Sequence, residues 1–122
     1  MLVRNNLALE LIVESLAIEA PFLLVAEMDP SEDEDDFNEW YNQEHVPMVA
    51  GMPGYVRCGR YEIVPDESAS DTARKYLTIH EVQDLNGFTG PEARASGLTE
   101  WAKKHMSQVK GFKMTGWKIA HA

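Results

Sequence analysis

Cysteine is almost absent from this chain. Cys58 is the single cysteine among 122 residues, so no disulfide can form within the chain. Disulfides belong to oxidising compartments, and a chain that lacks them fits a reducing, intracellular setting. No Cys/His spacing typical of a zinc site occurs either. We therefore expect a cytoplasmic protein that holds no structural metal.

Basic residues are also scarce. The chain has 11 Lys and Arg against 20 Asp and Glu, which gives a net charge of −9. A field of that sign repels phosphate backbones, so we expect no nucleic-acid binding. No apolar run is long enough to cross a membrane. An apolar segment does follow Arg4, but Glu10 and Glu14 interrupt it, which argues against a signal peptide.

The length predicts one domain with a modest core. Residues 5–19 are rich in Ala, Leu and Glu, which favours a helix. A strand stays open as an alternative, because apolar residues alternate from Leu7 to Val13. Pro21 breaks this run. We therefore divide the chain into an N-terminal extension, 1–20, which we expect to be helical, and a main domain, 21–122.

The most informative stretch is 36–54. Asp35 or Asp36 can cap a helix at its start. Pro47 lacks an N–H group and is expected to stop or kink that helix just before its own position. At about 100° per residue, one face of the helix is largely aromatic. This face contains Phe37, Trp40, Tyr41, Glu44, His45 and Met48. An ionisable Glu-His pair therefore lies within a stripe that should face the interior.

Short strands and helices follow one another along the rest of the chain. The pattern predicts strands at 22–28, 55–64, 75–82 and 112–120, and a second helix from Pro91 to about Ser107 with a break at Gly97. The order strand, helix, strand, strand, helix, strand is that of a ferredoxin-like fold, whose helices cover one face of an antiparallel sheet. The first strand is apolar on both sides, which indicates that the other sheet face is covered too. A second copy of the chain in a two-fold dimer would cover it most economically.

Three strings of residues carry a resemblance to known proteins. Residues 37–47 read Phe-Asn-Glu-Trp-Tyr-Asn-Gln-Glu-His-Val-Pro, and they are followed by Met52-Pro53-Gly54-Tyr55 and Arg57-Cys58-Gly59-Arg60-Tyr61. This combination resembles the dimeric α+β-barrel superfamily, and within it the EthD-like group. The resemblance covers about residues 21–120 and implies an α+β, ferredoxin-like βαββαβ domain that pairs into a barrel. The superfamily includes polyketide cyclases, decarboxylases, quinone-forming monooxygenases and haem-handling proteins, so it does not choose a reaction.

The candidate catalytic residues are those that could move a proton or stabilise an oxyanion. Burial in the aromatic stripe should raise the pKa of Glu44, which suits a general base or acid. His45 beside it could share the proton or act as the base itself. We expect His80, inside the third strand, to reach the same pocket as the partner acid. Tyr41 or Tyr61 could donate a hydrogen bond to an enolate or phenolate oxygen.

Each candidate also has an ordinary structural alternative. Glu44 could pair with Arg57 or Arg60, and His80 could be a satisfied core residue. Aromatic and apolar residues that could form the wall of a ligand pocket could equally fill the core. These wall candidates are Phe37, Trp40, Met48, Trp101 and His105. Cys58 has no obvious basic activator other than Arg57 and Arg60, and we interpret it as a packing residue.

The function that these features favour is a small cofactor-independent enzyme acting on a hydrophobic aromatic or polyketide-like compound. Proton abstraction next to a carbonyl would lead to cyclisation, isomerisation or decarboxylation. Two alternatives stay open: a cofactor-free monooxygenase of quinol-type substrates, and a non-catalytic dimeric module that binds a ligand or haem. The expected partners are a small hydrophobic molecule and a second copy of the chain. We expect no cofactor, haem being the less favoured alternative.

Overall fold

The computed structural model describes residues 19–65 and 73–120. The predicted N-terminal helix, apart from its last residue, and most of the predicted loop at 65–74 lie outside these residues. The helices are α1 (Glu34–Trp40), α2 (Val46–Ala50), α3 (Pro91–Ser96) and α4 (Glu100–Met106), and the strands are β1 (Phe22–Asp29), β2 (Tyr55–Glu62), β3 (Tyr76–Val82) and β4 (Lys110–Lys118). Within the described ranges, no helix is both long and apolar enough to span a membrane.

The four strands form one antiparallel sheet in the order β2-β3-β1-β4. The core lies where the helices cover one face of this sheet. Ala26 and Met28 of β1 pack there against Phe37 and Trp40 of α1 and Ala102 of α4. This is the predicted α+β, ferredoxin-like fold, with the predicted break in the second helical region between α3 and α4.

The central helix continues past Pro47, so the predicted stop is wrong. Residues 41–45 widen into a π-helical turn, after which α2 follows. In a regular α-helix the proline ring would collide with the carbonyl four residues earlier, and a wider turn gives the ring room. The predicted cap is also wrong: Asp33, rather than Asp35 or Asp36, caps α1, and its side chain accepts from the Asp36 N–H at 3.2 Å.

Strand β2 departs from simple alternation at its start. Its register against β3 shifts between Tyr55 and Arg57. Tyr55 pairs with Val82 and Cys58 pairs with His80, so both β2 residues lie on the face that the helices cover. Strict alternation along the strand would place Tyr55 on the same face as Arg57, whereas the structure places it on the face of Cys58. A β-bulge adds one residue and thereby changes which side chains share a face.

The sheet face away from the helices carries large apolar side chains. Trp117 is 57% exposed and Tyr61 is 55% exposed. Leu23, Val25 and Ile79 lie on the same face, as their cross-strand partners show. No element in the described part of the chain covers this face. It is the surface for which the sequence predicts a second copy.

Candidate functional site

A cavity of about 220 Å³ lies between the helices and the sheet. The strands contribute its floor, and the π-helical turn, the loop before α3 and α3 itself contribute its walls. The lining consists of Leu24, Ala26, Met28, Tyr41, His45, Val49, His80, Phe88, Ala93, Ser96, Gly97, Met106, Phe112 and Met114. Among the described residues, no Asp, Glu, Lys or Arg contributes to it. The cavity is therefore apolar, with a few neutral polar groups.

His45 ends the π-helical turn and lines the cavity. Such turns are frequent at functional sites. Burial lowers the pKa of His45 to about 4, and the Ser96 backbone acts in the opposite direction. Its Nδ1 atom is buried and meets no hydrogen-bond partner among the described residues. The ring is thus uncharged at neutral pH, and a neutral imidazole keeps one nitrogen that can accept a proton.

His80 lies on β3 and lines the same cavity. Burial lowers the pKa of His80 to about 4, and His45 nearby lowers it further. The Nδ1 atom of His80 lies 2.7 Å from the hydroxyl oxygen of Tyr55. The Phe88 ring also lies against it, with ring centroids 5.6 Å apart. The structure therefore brings the two histidines together, as the sequence predicts, and adds Tyr55, which the sequence reasoning missed.

Tyr41 is the third polar residue of the cavity that the sequence singles out. Burial raises the pKa of Tyr41, so the hydroxyl keeps its proton near neutral pH. The guanidinium of Arg60 lies 4.1 Å from the centre of its ring. Asn42 and Asn38 hold this guanidinium through their amide oxygens, at 3.0 and 3.1 Å. A cation over the ring makes the hydroxyl a better hydrogen-bond donor.

Two predicted catalytic residues lie outside the cavity lining. Glu44 accepts a hydrogen bond from the Thr99 hydroxyl at 2.7 Å, and Thr99 also caps α4 by accepting from the Ala102 N–H. Glu44 thus supports a helix cap rather than pairing with Arg57 or Arg60. Tyr61 pairs with Leu77 on the opposite sheet face. The structure therefore brings neither Glu44 nor Tyr61 to the two histidines.

The residues predicted to form the pocket wall are also placed elsewhere. Phe37, Trp40, Met48, Trp101 and His105 are not part of the cavity lining. Phe37 and Trp40 are fully buried in the core. Trp40 packs between two histidine rings, with its centroid 4.9 Å from that of His45 and 5.4 Å from that of His105. Phe37 and Trp40 therefore pack in the core beside the cavity and do not line it.

His105 belongs to a Ser-His-Asp cluster away from the cavity. Its Nδ1 lies 2.5 Å from the Ser31 hydroxyl, and its Nε2 lies 2.8 Å from the Asp36 carboxylate. Lys104 and Trp101 also donate to this carboxylate, and Lys104 holds the pKa of Asp36 well below its usual value. Both Ser31 and His105 are buried, so the hydroxyl is shielded from a substrate. We infer that these hydrogen bonds stabilise the packing of α1 against α4.

No potential metal-binding group occurs among the described residues. A group of this kind would bring together at least three His, Cys, Asp or Glu side chains. The acidic run before α1 instead supplies the helix cap and the first helical turn, where negative charge is favourable.

Comparison with solved structures finds this fold in other proteins. An EthD family protein from Bacillus halodurans superposes with a TM-score of 0.60 at 20% identity, over 80% of this chain and 96% of that chain. SnoaB, a cofactor-independent oxygenase from Streptomyces nogalater, superposes with a TM-score of 0.55 at 12% identity, over 83% and 94%. A MhuD mutant with two manganese protoporphyrin IX molecules bound per active site superposes with a TM-score of 0.56 at 12% identity, over 84% and 97%.

The comparisons at the level of sequence give no match. No family model matches the chain, and no curated protein matches it. The structural similarities are below 25% identity and show a shared fold. These likenesses confirm the predicted ferredoxin-like α+β fold, which is the fold that the resemblance to the EthD-like group implies.

Proposed function

We propose that this chain is a small enzyme that acts without a cofactor on an uncharged, largely apolar ring compound. Its first step is proton abstraction next to a carbonyl. The observation that carries the proposal is the presence of two neutral imidazoles in one apolar cavity, that of His80, which is buried, and that of His45, which is partly buried. The fold shared with SnoaB, a cofactor-independent oxygenase, supports chemistry of this kind.

The volume and lining of the cavity limit the substrate. An apolar cavity of about 150 Å³ holds benzene. A cavity of about 220 Å³ therefore suits one ring or two fused rings. A carboxylate or phosphate would lose its hydration there, and no charged side chain among the described lining residues would compensate. Neutral cyclic ketones, quinols and small polyketide-like compounds fit these limits.

We assign the role of base to His45, because Glu44 does not reach the lining. The C–H bond beside the carbonyl breaks, its electron pair moves onto the carbonyl oxygen as an enolate, and the proton passes to a ring nitrogen of His45. Tyr41 and His80 stabilise the negative oxygen through hydrogen bonds. The imidazolium and the enolate attract each other strongly in an apolar cavity, which offsets the low pKa of the base. Return of the proton to another carbon completes an isomerisation, and attack of the enolate carbon on a second carbonyl of the same molecule gives a cyclisation. Decarboxylation is not proposed, because its carboxylate substrate would be poorly accommodated in this cavity.

A cofactor-free oxygenase is the second candidate, because SnoaB has this fold. Here the enolate of a methylene ketone would give its electrons to O₂. One oxygen atom would become a new carbonyl on the former methylene carbon. The other would leave as water, together with the two methylene hydrogens. His45, His80 and Tyr41 would have the same tasks in the first step.

Haem fits the described residues poorly. Pockets for drug-sized ligands measure about 300–1,000 Å³. The cavity measures about 220 Å³, which is too small for a porphyrin. The MhuD mutant binds manganese protoporphyrin IX on this fold, yet we propose no step through haem for this chain.

We propose further that the chain works as a homodimer in the cytoplasm. The sheet face away from the helices leaves Trp117 and Tyr61 more than half exposed, and Leu23 lies on the same face. Exposed apolar side chains grouped on one face can mark an interaction site. A two-fold dimer would bury this face. Sedimentation at micromolar concentration should show a dimer, and a monomer would contradict this part of the proposal. The single cysteine, Cys58, fits a reducing compartment.

The test is turnover of a neutral bicyclic ketone, 2-tetralone, under ¹⁸O₂, followed by mass spectrometry. The wild type and the E44Q variant should convert it, whereas H45F should lose activity by about 100-fold or more. E44Q is the matched control because its side chain lies next in sequence but points away from the cavity. Label in the product would identify an oxygenase. Exchange of the C–H hydrogens next to the carbonyl for deuterium in D₂O, with no labelled product, would show proton abstraction without oxygenation, because 2-tetralone has no movable C=C bond and no second carbonyl. Equal activity of H45F and wild type would refute the assignment of the base.

A further inference from the structure

Tyr55 contacts His80, but the proposed reaction gives Tyr55 no role. The register shift at the start of β2 turns this residue to the face that the helices cover. Its hydroxyl oxygen lies 2.7 Å from Nδ1 of His80, and the two rings meet edge to face with centroids 5.6 Å apart. Tyr55 itself is not part of the cavity lining. β-Bulges often re-aim a side chain beside an active site, and here the re-aimed side chain contacts a candidate catalytic residue.

The direction of this hydrogen bond follows from the chemistry of its two ends. Burial raises the pKa of Tyr55, so the phenol keeps its hydrogen, and His80 is neutral. A phenol is a stronger acid than the N–H of a neutral imidazole, so the favoured arrangement has the Tyr55 O–H donating to Nδ1. The Cys58 thiol lies beside the Tyr55 hydroxyl and is kept protonated by burial.

The bond fixes the tautomer of His80. A neutral imidazole carries one hydrogen, and the nitrogen that accepts a hydrogen bond cannot carry it. If Nδ1 accepts from Tyr55, the hydrogen is on Nε2. His80 can then donate from Nε2, and it has no free lone pair with which to take a proton. In His45, by contrast, the buried Nδ1 has no hydrogen-bond partner among the described residues, so no such contact fixes the tautomer of that ring.

We propose that Tyr55 is a positioning residue that holds His80 as the neutral tautomer protonated on Nε2, and so makes His80 the hydrogen-bond donor of the cavity. The catalytic consequence rests on the proposed function. The two histidines then have separate tasks: His45 accepts the proton, and His80 donates to the oxygen that becomes negative. A neutral donor of this kind polarises a carbonyl without a buried positive charge.

The direct test is ¹⁵N NMR of the histidine rings in the full chain at neutral pH, which needs no substrate. In the wild type, the His80 signals should show a hydrogen on Nε2 and an accepting Nδ1. In Y55F, the Nδ1 signal should move toward that of a free lone pair, while the His45 signals stay in place. Y61F is the matched control, because Tyr61 lies on the opposite sheet face. A wild-type His80 protonated on Nδ1, or a His80 spectrum unchanged in Y55F, would overturn the inference.

Kinetics with 2-tetralone test the catalytic consequence separately. Y55F should lower kcat by about 10-fold and leave KM nearly unchanged, because Tyr55 acts through His80 and does not touch the substrate. Y61F should keep the wild-type kcat. A rise in KM with unchanged kcat in Y55F would overturn the positioning role. Absence of turnover in the wild type would remove the proposed function, and the NMR spectra would still decide the tautomer.

Discussion

Lowering the pH from about 7.5 to about 5 should destabilise this fold through the two histidines that line its cavity. The pKa of His45 and that of His80 are about 4 in the folded chain, against an ordinary value of 6.5. Between these values the unfolded chain binds protons that the folded chain does not. The free energy of unfolding therefore falls as the pH drops from about 6.5 toward 4. At pH 5 each histidine costs about 2 kcal/mol relative to pH 7.5, so the pair costs about 4 kcal/mol.

Urea unfolding followed by circular dichroism at both pH values measures this cost. The range from pH 7.5 to pH 5 suits this measurement. The pKa of Asp36 is lowered in the folded chain, so the stability that the ionised carboxylate contributes is lost only at more acidic pH. H80F and H45F should each lose about half of the difference between the two pH values. The difference is the readout, since H80F also removes the hydrogen bond to Tyr55 at every pH. Equal wild-type stability at both pH values, or an unchanged difference in both variants, would refute the assignment of neutral histidines.

Two further substitutions test the turn and the cavity. Gly54 has φ of 79°, so G54A should lower the free energy of unfolding by about 1–2 kcal/mol in thermal or urea melts; an unchanged midpoint would mean that the turn adopts another conformation. Ala93 lines the cavity and is only partly buried, so A93L should fill the space with little change in melting temperature. Calorimetric titration with 2-tetralone should then show at least tenfold weaker binding to A93L than to wild type, and equal affinity would place the ligand elsewhere.

Local patterns in the sequence are sufficient to predict the fold. The predicted strand at 22–28 is a short apolar run after Pro21, and the predicted strand at 75–82 lies between a polar loop and a turn. The structure has these strands at Phe22–Asp29 and Tyr76–Val82. The two histidines could be predicted for a related reason. Each is a polar residue at a position where the pattern requires burial, and a buried ionisable group calls for an explanation.

The rest of the site depends on packing that periodicity does not describe. The aromatic stripe of the central helix faces both the core and the cavity, and only the packed structure shows that Trp40 belongs to the core while Tyr41 lines the cavity. Glu44 finds a partner in Thr99, which is distant in sequence. Tyr55 changes faces through a β-bulge, which alternation cannot reveal.

The exchange of the acidic C–H hydrogens of 2-tetralone for deuterium in D₂O tests the central claim most directly. The measurement follows proton abstraction alone, whichever reaction comes after it, and ¹H NMR reads it as loss of the C–H signal. Wild type and E44Q should accelerate exchange by about 100-fold or more over buffer, as expected of general base catalysis, and H45F should not. Binding of 2-tetralone without faster exchange, or equal acceleration by H45F, would contradict the account of His45 as a base in this cavity.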